Sequence, residues 1–165
     1  MRIETERLIL RPVRADDLDD YRSLGIRVEA ARREIEYAVA HWEEHGFGPW
    51  AVHERVSNRL AGLLEVHYAG EGIGGIEPDE VEIGWTVAPG LRRLGIATEA
   101  ARAAVADTFE RVRPSHVVAY IRPENAASLR IAAALGMRDD GEGTTRSGDP
   151  MHVFRLPRPT TIEPA

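Results

Sequence analysis

Hydrophobic residues recur with two different periods along this chain, and each change of period marks a change of element. Between Glu80 and Ala104, Val81, Ile83, Trp85 and Val87 alternate with Glu82, Gly84, Thr86 and Ala88, which puts the large apolar groups on one face of a strand. Pro89 and Gly90 stop that strand. Beyond the basic turn Leu91 to Ala97, Ile96, Ala100, Ala103 and Ala104 recur at helical spacing among good helix formers. The order is therefore strand, basic glycine-containing turn, helix. A turn of this kind aims the free amides of a helix N-terminus at one point, and those amides together with the helix dipole favour an anion, most often a phosphate. The stretch reads as a diphosphate cradle.

The same reading predicts the rest of the elements. Ile3 to Val13, ended by Pro12, is a first strand, and Asp16 and Asp17 open a short helix through about Leu24. A longer helix runs from about Glu29 to His45, with Ile35, Ala38, Val39 and Trp42 inward and Arg32, Arg33, Glu36, Glu43 and Glu44 toward solvent. Trp50 to Val52 and Leu60 to Tyr68, joined through Ser57 and Asn58, form an antiparallel hairpin. His116 to Ile121 is a strand rich in β-branched residues, followed by a turn at Pro123 and a short helix from Ala126 to Leu135 ended by Gly136. Met137 to Arg146 and Met151 to Leu156 close the fold as a hairpin with Gly148 to Pro150 at its tip. No repeat or linker interrupts this order, so residues 1–158 are expected to form a single domain and 159–165 a frayed tail.

Composition removes several kinds of chemistry. All 21 basic residues are arginine and there is no cysteine, which excludes Schiff-base lysines, GK[ST] phosphate loops, thiolate nucleophiles and cysteine-based metal sites. A net charge of -6 argues against broad nucleic-acid binding and suits a cationic or amine partner. No signal peptide and no run of 18 apolar residues is found, so the expectation is a soluble cytoplasmic protein without a membrane partner. Two motif matches are decoys. His41 and His45 have the spacing of a zinc pair but lack the intervening glutamate, and they read as a wet helix end with no metal. Gly70, Gly72 and Gly75 satisfy GxGxxG, yet no helix follows, and the segment reads as a flexible loop.

The turn Arg92, Arg93, Leu94, Gly95, Ile96, Ala97, preceded by Val87, Ala88, Pro89, resembles the Q/R-x-x-G-x-G/A signature of the GNAT superfamily of acetyl-CoA-dependent N-acetyltransferases. The opening TERLILRP, GPWAV, IGW, GIATEA and NAASLRIAAALGM are similar to the Rim-type branch, whose better-known members acetylate N-terminal amines of ribosomal proteins, and together they cover nearly the whole chain. The resemblance implies an α+β (α/β) GNAT fold. Its mixed, mostly antiparallel sheet would have about six to seven strands, splayed between the fourth and fifth, and about four flanking helices. It also implies acetyl-CoA as cosubstrate, with the amides of Arg93, Leu94, Gly95, Ile96, Ala97 and Thr98 at the diphosphate and Arg92 as a side-chain partner. Trp85 and Val87 would pair with the pantetheine arm, Asn125 would contact it, and Ser128 would lie close to the thiol. Many relatives carry glycine at the place of Arg93, so the turn here is expected to adopt a conformation that tolerates a β-carbon. Many also carry a general-acid tyrosine where this chain has Ala132, which leaves Ser128 or water to protonate the departing thiolate.

The amine must be neutral to attack. A protein α-amine is roughly 10 to 15% neutral at pH 7 and a lysine below about 0.1%, so an α-amine needs only a modest base. Glu82 is a candidate to take a proton through one water, its other reading being a structural carboxylate, while the Val87 amide would stabilise the developing oxyanion. The leading expectation is an N-acetyltransferase for a protein or peptide N-terminus, acting as a monomer or homodimer. The alternatives are a small-amine acetyltransferase and a degenerate acyl-CoA-binding regulator.

Overall fold

The structure is a computed structural model that describes residues 1–160; of the tail expected at 159–165, residues 161–165 lie outside the described residues. In chain order the elements are β1 (Ile3–Glu4), β2 (Leu8–Pro12), α1 (Leu18–Ser23), α2 (Val28–His45), β3 (Trp50–Glu54), β4 (Leu60–Tyr68), β5 (Val81–Val87), α3 (Ile96–Arg111), β6 (His116–Ile121), α4 (Ala126–Leu135), β7 (Arg138–Thr144) and β8 (Pro150–Pro157). Among the described residues these eight strands and four helices form an α+β fold. The count exceeds the expected six to seven strands because the first predicted strand is broken. Thr5 folds it back on itself, its amide donating to Leu8 O at 3.0 Å and its hydroxyl accepting from the Leu8 amide at 3.1 Å. Among the described residues no helix is long and apolar enough to cross a membrane.

The chain gathers into two compact units, the first comprising Met1–His67 and Glu82–Ala106, the second Tyr68–Val81 and the residues from Asp107 onward. In the first unit the strands lie in the order β1-β2-β3-β4-β5. The pairs β1–β2, β2–β3 and β3–β4 are antiparallel, with Leu10 opposite Val52 and Trp50 opposite Leu64. Strand alternation sends Leu8, Leu10, Trp50, Val52 and Leu64 into a core where each is at most 1% exposed. The other face carries Ala51 and Leu63, which pack with Val13 just past β2 and with Tyr21, Ala31, Ile35 and Ala38 of the α1–α2 layer. Burying each large side chain of this set is worth roughly 1.5–3 kcal/mol. An ion pair fixes the start of α1 to β2: Arg11 grips Asp17 through two bonds of 2.7 and 2.8 Å, and Asp17 also accepts the Arg14 amide at 2.7 Å. Helix α2 ends at His45, the expected boundary, and Gly46 at φ 72 caps it in the left-handed region.

In the second unit the strand order is β6-β8-β7, antiparallel throughout, with Ala119 opposite Phe154. The glycine-rich segment that reads as a flexible loop is in fact fastened at several points. Arg146 donates to Ala69 O at 2.7 Å and Glu71 O at 2.8 Å, Gly74 bridges to Thr144, and Ile73 and Ile76 are buried with Val118 and Val153. These partners lie about forty to eighty residues away, beyond the reach of a local composition argument.

Candidate active site

Three local features shape the cradle. β5 leads through a single 3-10 turn, Pro89–Leu91, into the segment Arg92 to Gly95 and then α3. Arg93 stands at φ 64 and Gly95 at φ 79, whereas Leu94 between them is not in the positive region. Such alternation turns successive amides toward one side, the backbone arrangement that makes an anion-binding concavity. The turn does carry a β-carbon at Arg93, but in the left-handed region, at a cost of roughly 1–2 kcal/mol. The first amide of α3 to reach a carbonyl is that of Glu99, bonded to Gly95 O at 3.0 Å. Among the described residues the amides from Arg93 to Thr98 donate to no backbone oxygen. Residues 92–95 are exposed, Ile96 and Ala97 buried, and Thr98 half-buried, so the unused donors sit at an anchored surface.

The strand that feeds the cradle changes character along its length. Val81 and Ile83 are buried, but Trp85 and Val87 remain half-exposed although both are apolar. β4 crowds the same end of β5, since a Cβ on Gly62 would lie 2.2 Å from Thr86 O, and Ala88 donates its amide to Ala61 O at 2.8 Å. Gly62 is required there for close backbone approach.

The opposite face of this strand pair holds a carboxylate cluster of which the sequence reading named only Glu82. A Cβ on Gly84 would meet Cβ and Cγ of Glu65 at 3.4 and 3.5 Å, which puts Gly84 and Glu65 on one face, and alternation places Glu82 there too. Glu82 is only 8% exposed. Glu65 keeps 37% of its side-chain surface open, yet the protein around it limits its solvation, and burial reinforced by the negative charge of Glu34 raises its carboxyl to about 7. Burial also raises Glu34, on α2, and Tyr21 is pushed up by burial and then by Glu65 and Glu34. His67 stands 3.8 Å from Glu65. The available signal was the alternation Leu63, Glu65, His67 within an otherwise apolar strand, where a carboxylate has to share the face of a buried leucine.

In the second unit, Asn125 caps α4: its Oδ1 accepts the Ser128 amide at 3.1 Å, leaving Nδ2 to donate elsewhere. The structure brings these two predicted residues together as helix cap and first-turn serine, with Ser128 half-buried. Ala132 is fully buried. Back in the first unit, His41 departs from the wet helix end expected of it. It is 5% exposed, its Nδ1 bonds Phe47 O at 2.7 Å, burial lowers its pKa, and its ring lies 4.5 Å from that of His45. The histidine holds the chain as it leaves α2.

Comparison with known proteins agrees with this geometry. The family model for the acetyltransferase (GNAT) domain matches residues 7–138. YnaD of Bacillus subtilis (strain 168), an uncharacterized N-acetyltransferase, is 37% identical over 60 residues, which cover 36% of this chain and 35% of YnaD. YoaA of the same strain, also an uncharacterized N-acetyltransferase, is 25% identical over 153 residues, 84% of each chain. The alignment thus spans about a third of the first relative and most of the second. Among solved structures, the coenzyme A complex of RimL, the ribosomal L7/L12 alpha-N-protein acetyltransferase, shares the fold with a TM-score of 0.76 at 16% identity, covering 95% of this chain and 98% of that one.

Proposed function

The chain belongs to the GNAT acetyltransferase family, and from that premise we propose that it transfers the acetyl group of acetyl-CoA to the α-amine of a protein or peptide N-terminus. The observation that carries this reading is the row of unused amides from Arg93 to Thr98 at an exposed, alternating turn, suited to a diphosphate. Arg92 and Arg93 add positive charge beside it, and the half-open Trp85 and Val87 offer an apolar edge for the pantetheine arm. The likeness in fold to RimL supports an N-terminal acceptor.

In this reading the amine nitrogen forms a bond to the thioester carbonyl carbon, the carbon–sulfur bond breaks, and coenzyme A leaves as a thiol. The Val87 amide faces the oxygen that gains charge. The amine's proton goes to a carboxylate on the far face of the strand pair. Glu82 is 8% exposed and could meet an amine only through water, so the more open Glu65 takes the proton in this reading. A base titrating near 7 suits an α-amine, whose pKa is about 7.8. Ser128 is the candidate to return a proton to the thiolate, and Asn125 Nδ2 to contact the pantetheine.

Thiol release from acetyl-CoA across a panel of peptides and small amines tests the acceptor. Peptides with free N-termini should turn over and their N-acetylated forms should not, whereas turnover confined to polyamines or drugs would replace the acceptor class. Calorimetry tests the cradle through Gly95→Val. At φ 79 a branched residue is forbidden, so the turn should re-form differently and acetyl-CoA affinity should fall by at least about a hundredfold while the protein stays folded. Unchanged affinity would remove the cradle from the mechanism.

A further inference from the structure

The cradle is braced from behind by the broken N-terminal strand. Arg7, in the Thr5–Arg7 turn between β1 and β2, reaches across to α3 and donates from Nε to Glu99 Oε2 at 2.7 Å and from Nη1 to Leu94 O at 2.8 Å. Glu99 is gripped a second time through its other oxygen, which accepts the Arg7 amide at 3.0 Å and the Thr5 hydroxyl at 2.6 Å. Burial alone would raise the Glu99 carboxyl, but these donors outweigh it and hold it below its ordinary value, so the clasp carries its full charge at neutral pH.

The bond to Leu94 O has a consequence for the next residue. A trans peptide sets its C=O and the following N–H antiparallel. An Arg7 guanidinium that holds the Leu94 oxygen therefore points the Gly95 amide the opposite way, away from the clasp. Without that hold the peptide is free to flip, because Gly95 has no β-carbon to resist it, and a flip would present an oxygen to the anion instead of a donor. A β-carbon on Gly95 would lie 3.4 Å from Arg7 Nη2, which places the guanidinium directly behind the turn.

We propose that Arg7 is a positioning residue for the acyl-donor site, locking the Leu94–Gly95 peptide in the orientation that aims its amide at the diphosphate. The proposal rests on the reading of residues 93–98 as the diphosphate cradle. Arg7 acts through the peptide and need not touch the ligand. The same turn has another tether that makes a control: Arg55 donates from Nη1 to Thr5 O at 2.9 Å and to Glu6 O at 3.3 Å, and bonds nothing in the cradle.

Binding of acetyl-CoA and of inorganic pyrophosphate, measured by calorimetry on the full chain, separates the roles, with thermal unfolding recorded alongside. Arg7→Gln should weaken both ligands by about ten- to a hundredfold, the value of a lost charge-assisted bond. Arg7→Lys keeps a cation beside Glu99 but cannot hold Glu99 and Leu94 O together, so it should restore unfolding temperature while affinity stays about tenfold low. Arg55→Gln should lower the unfolding temperature and leave both affinities at the wild-type value. Wild-type affinity in Arg7→Lys, or an equal loss in Arg55→Gln, would reduce Arg7 to a tether of the chain end. Failure of the wild-type protein to bind acetyl-CoA would instead overturn the cradle reading itself.

Discussion

Glu65 in the first unit and Glu80 in the second are both carboxylates at the edge of a packed core, yet their environments drive them in opposite directions. Burial pushes each toward the neutral form. For Glu65 the neighbouring Glu34 adds to that push, and the carboxyl rises to about 7. For Glu80 the push is overcome by Arg155, which donates at 2.7 and 2.9 Å, by a short contact from His116, and by the Glu77 amide at 2.6 Å, so the carboxyl falls to about 2. Arg155 also binds Gly75 O at 2.8 Å, which makes Glu80 the centre of the clasp that fastens the glycine-rich loop. The partners, rather than the burial, decide whether a carboxylate is committed to structure or left free to exchange a proton.

The largest test of that contrast is on Glu65. Glu65→Gln should lower kcat/KM at pH 7 by roughly 10²- to 10⁴-fold, the range for a lost general base, with acetyl-CoA affinity unchanged. In the wild type, activity should rise with pH from about 7 as Glu65 ionises, whereas the variant should keep only the later rise as the amine loses its own proton near about 7.8. Its stability should move the other way. A folded pKa raised above the unfolded value favours folding at low pH and is lost as pH climbs through 7, so removing the charge should raise the unfolding temperature above pH 7 and change it little near pH 4. A variant with the wild-type pH profile would return the proton to Glu82.

Glu80→Gln should be the reverse case, a stability defect of about 3 kcal/mol at pH 7 by denaturant titration, without a new step in the activity profile of the folded enzyme. Because the folded pKa is depressed to about 2, this contribution is complete above the unfolded value near 4.3 and disappears as pH falls toward 2. Wild type and variant should therefore converge in acid. A constant gap down to pH 2 would mean that the clasp works by packing and not by charge. The smallest effect is expected for Glu34→Gln. Removing that negative neighbour should move the Glu65 limb of the pH profile downward by a fraction of a unit, since burial remains its main cause.

What the sequence determined by itself was local. The strand from His116 to Ile121, the helix ends at Gly46 and Gly136, and the strand, turn and helix around Gly95 all follow from periodicity and from backbone preferences that act within a few residues. A cradle made of consecutive amides can be read from the chain because its geometry is set by the residues that compose it. Tertiary structure decided everything that depends on partners far apart in sequence. Arg7 and Leu94 meet only because the first strand is broken at Thr5, and Glu34 reaches Glu65 only because α2 covers β4's face. Arg93 keeps a left-handed conformation its own propensity disfavours, because the flanking strand and helix dictate the path of the turn. Charge and solvation act through space, and separation along the chain carries no information about distance until the chain has folded.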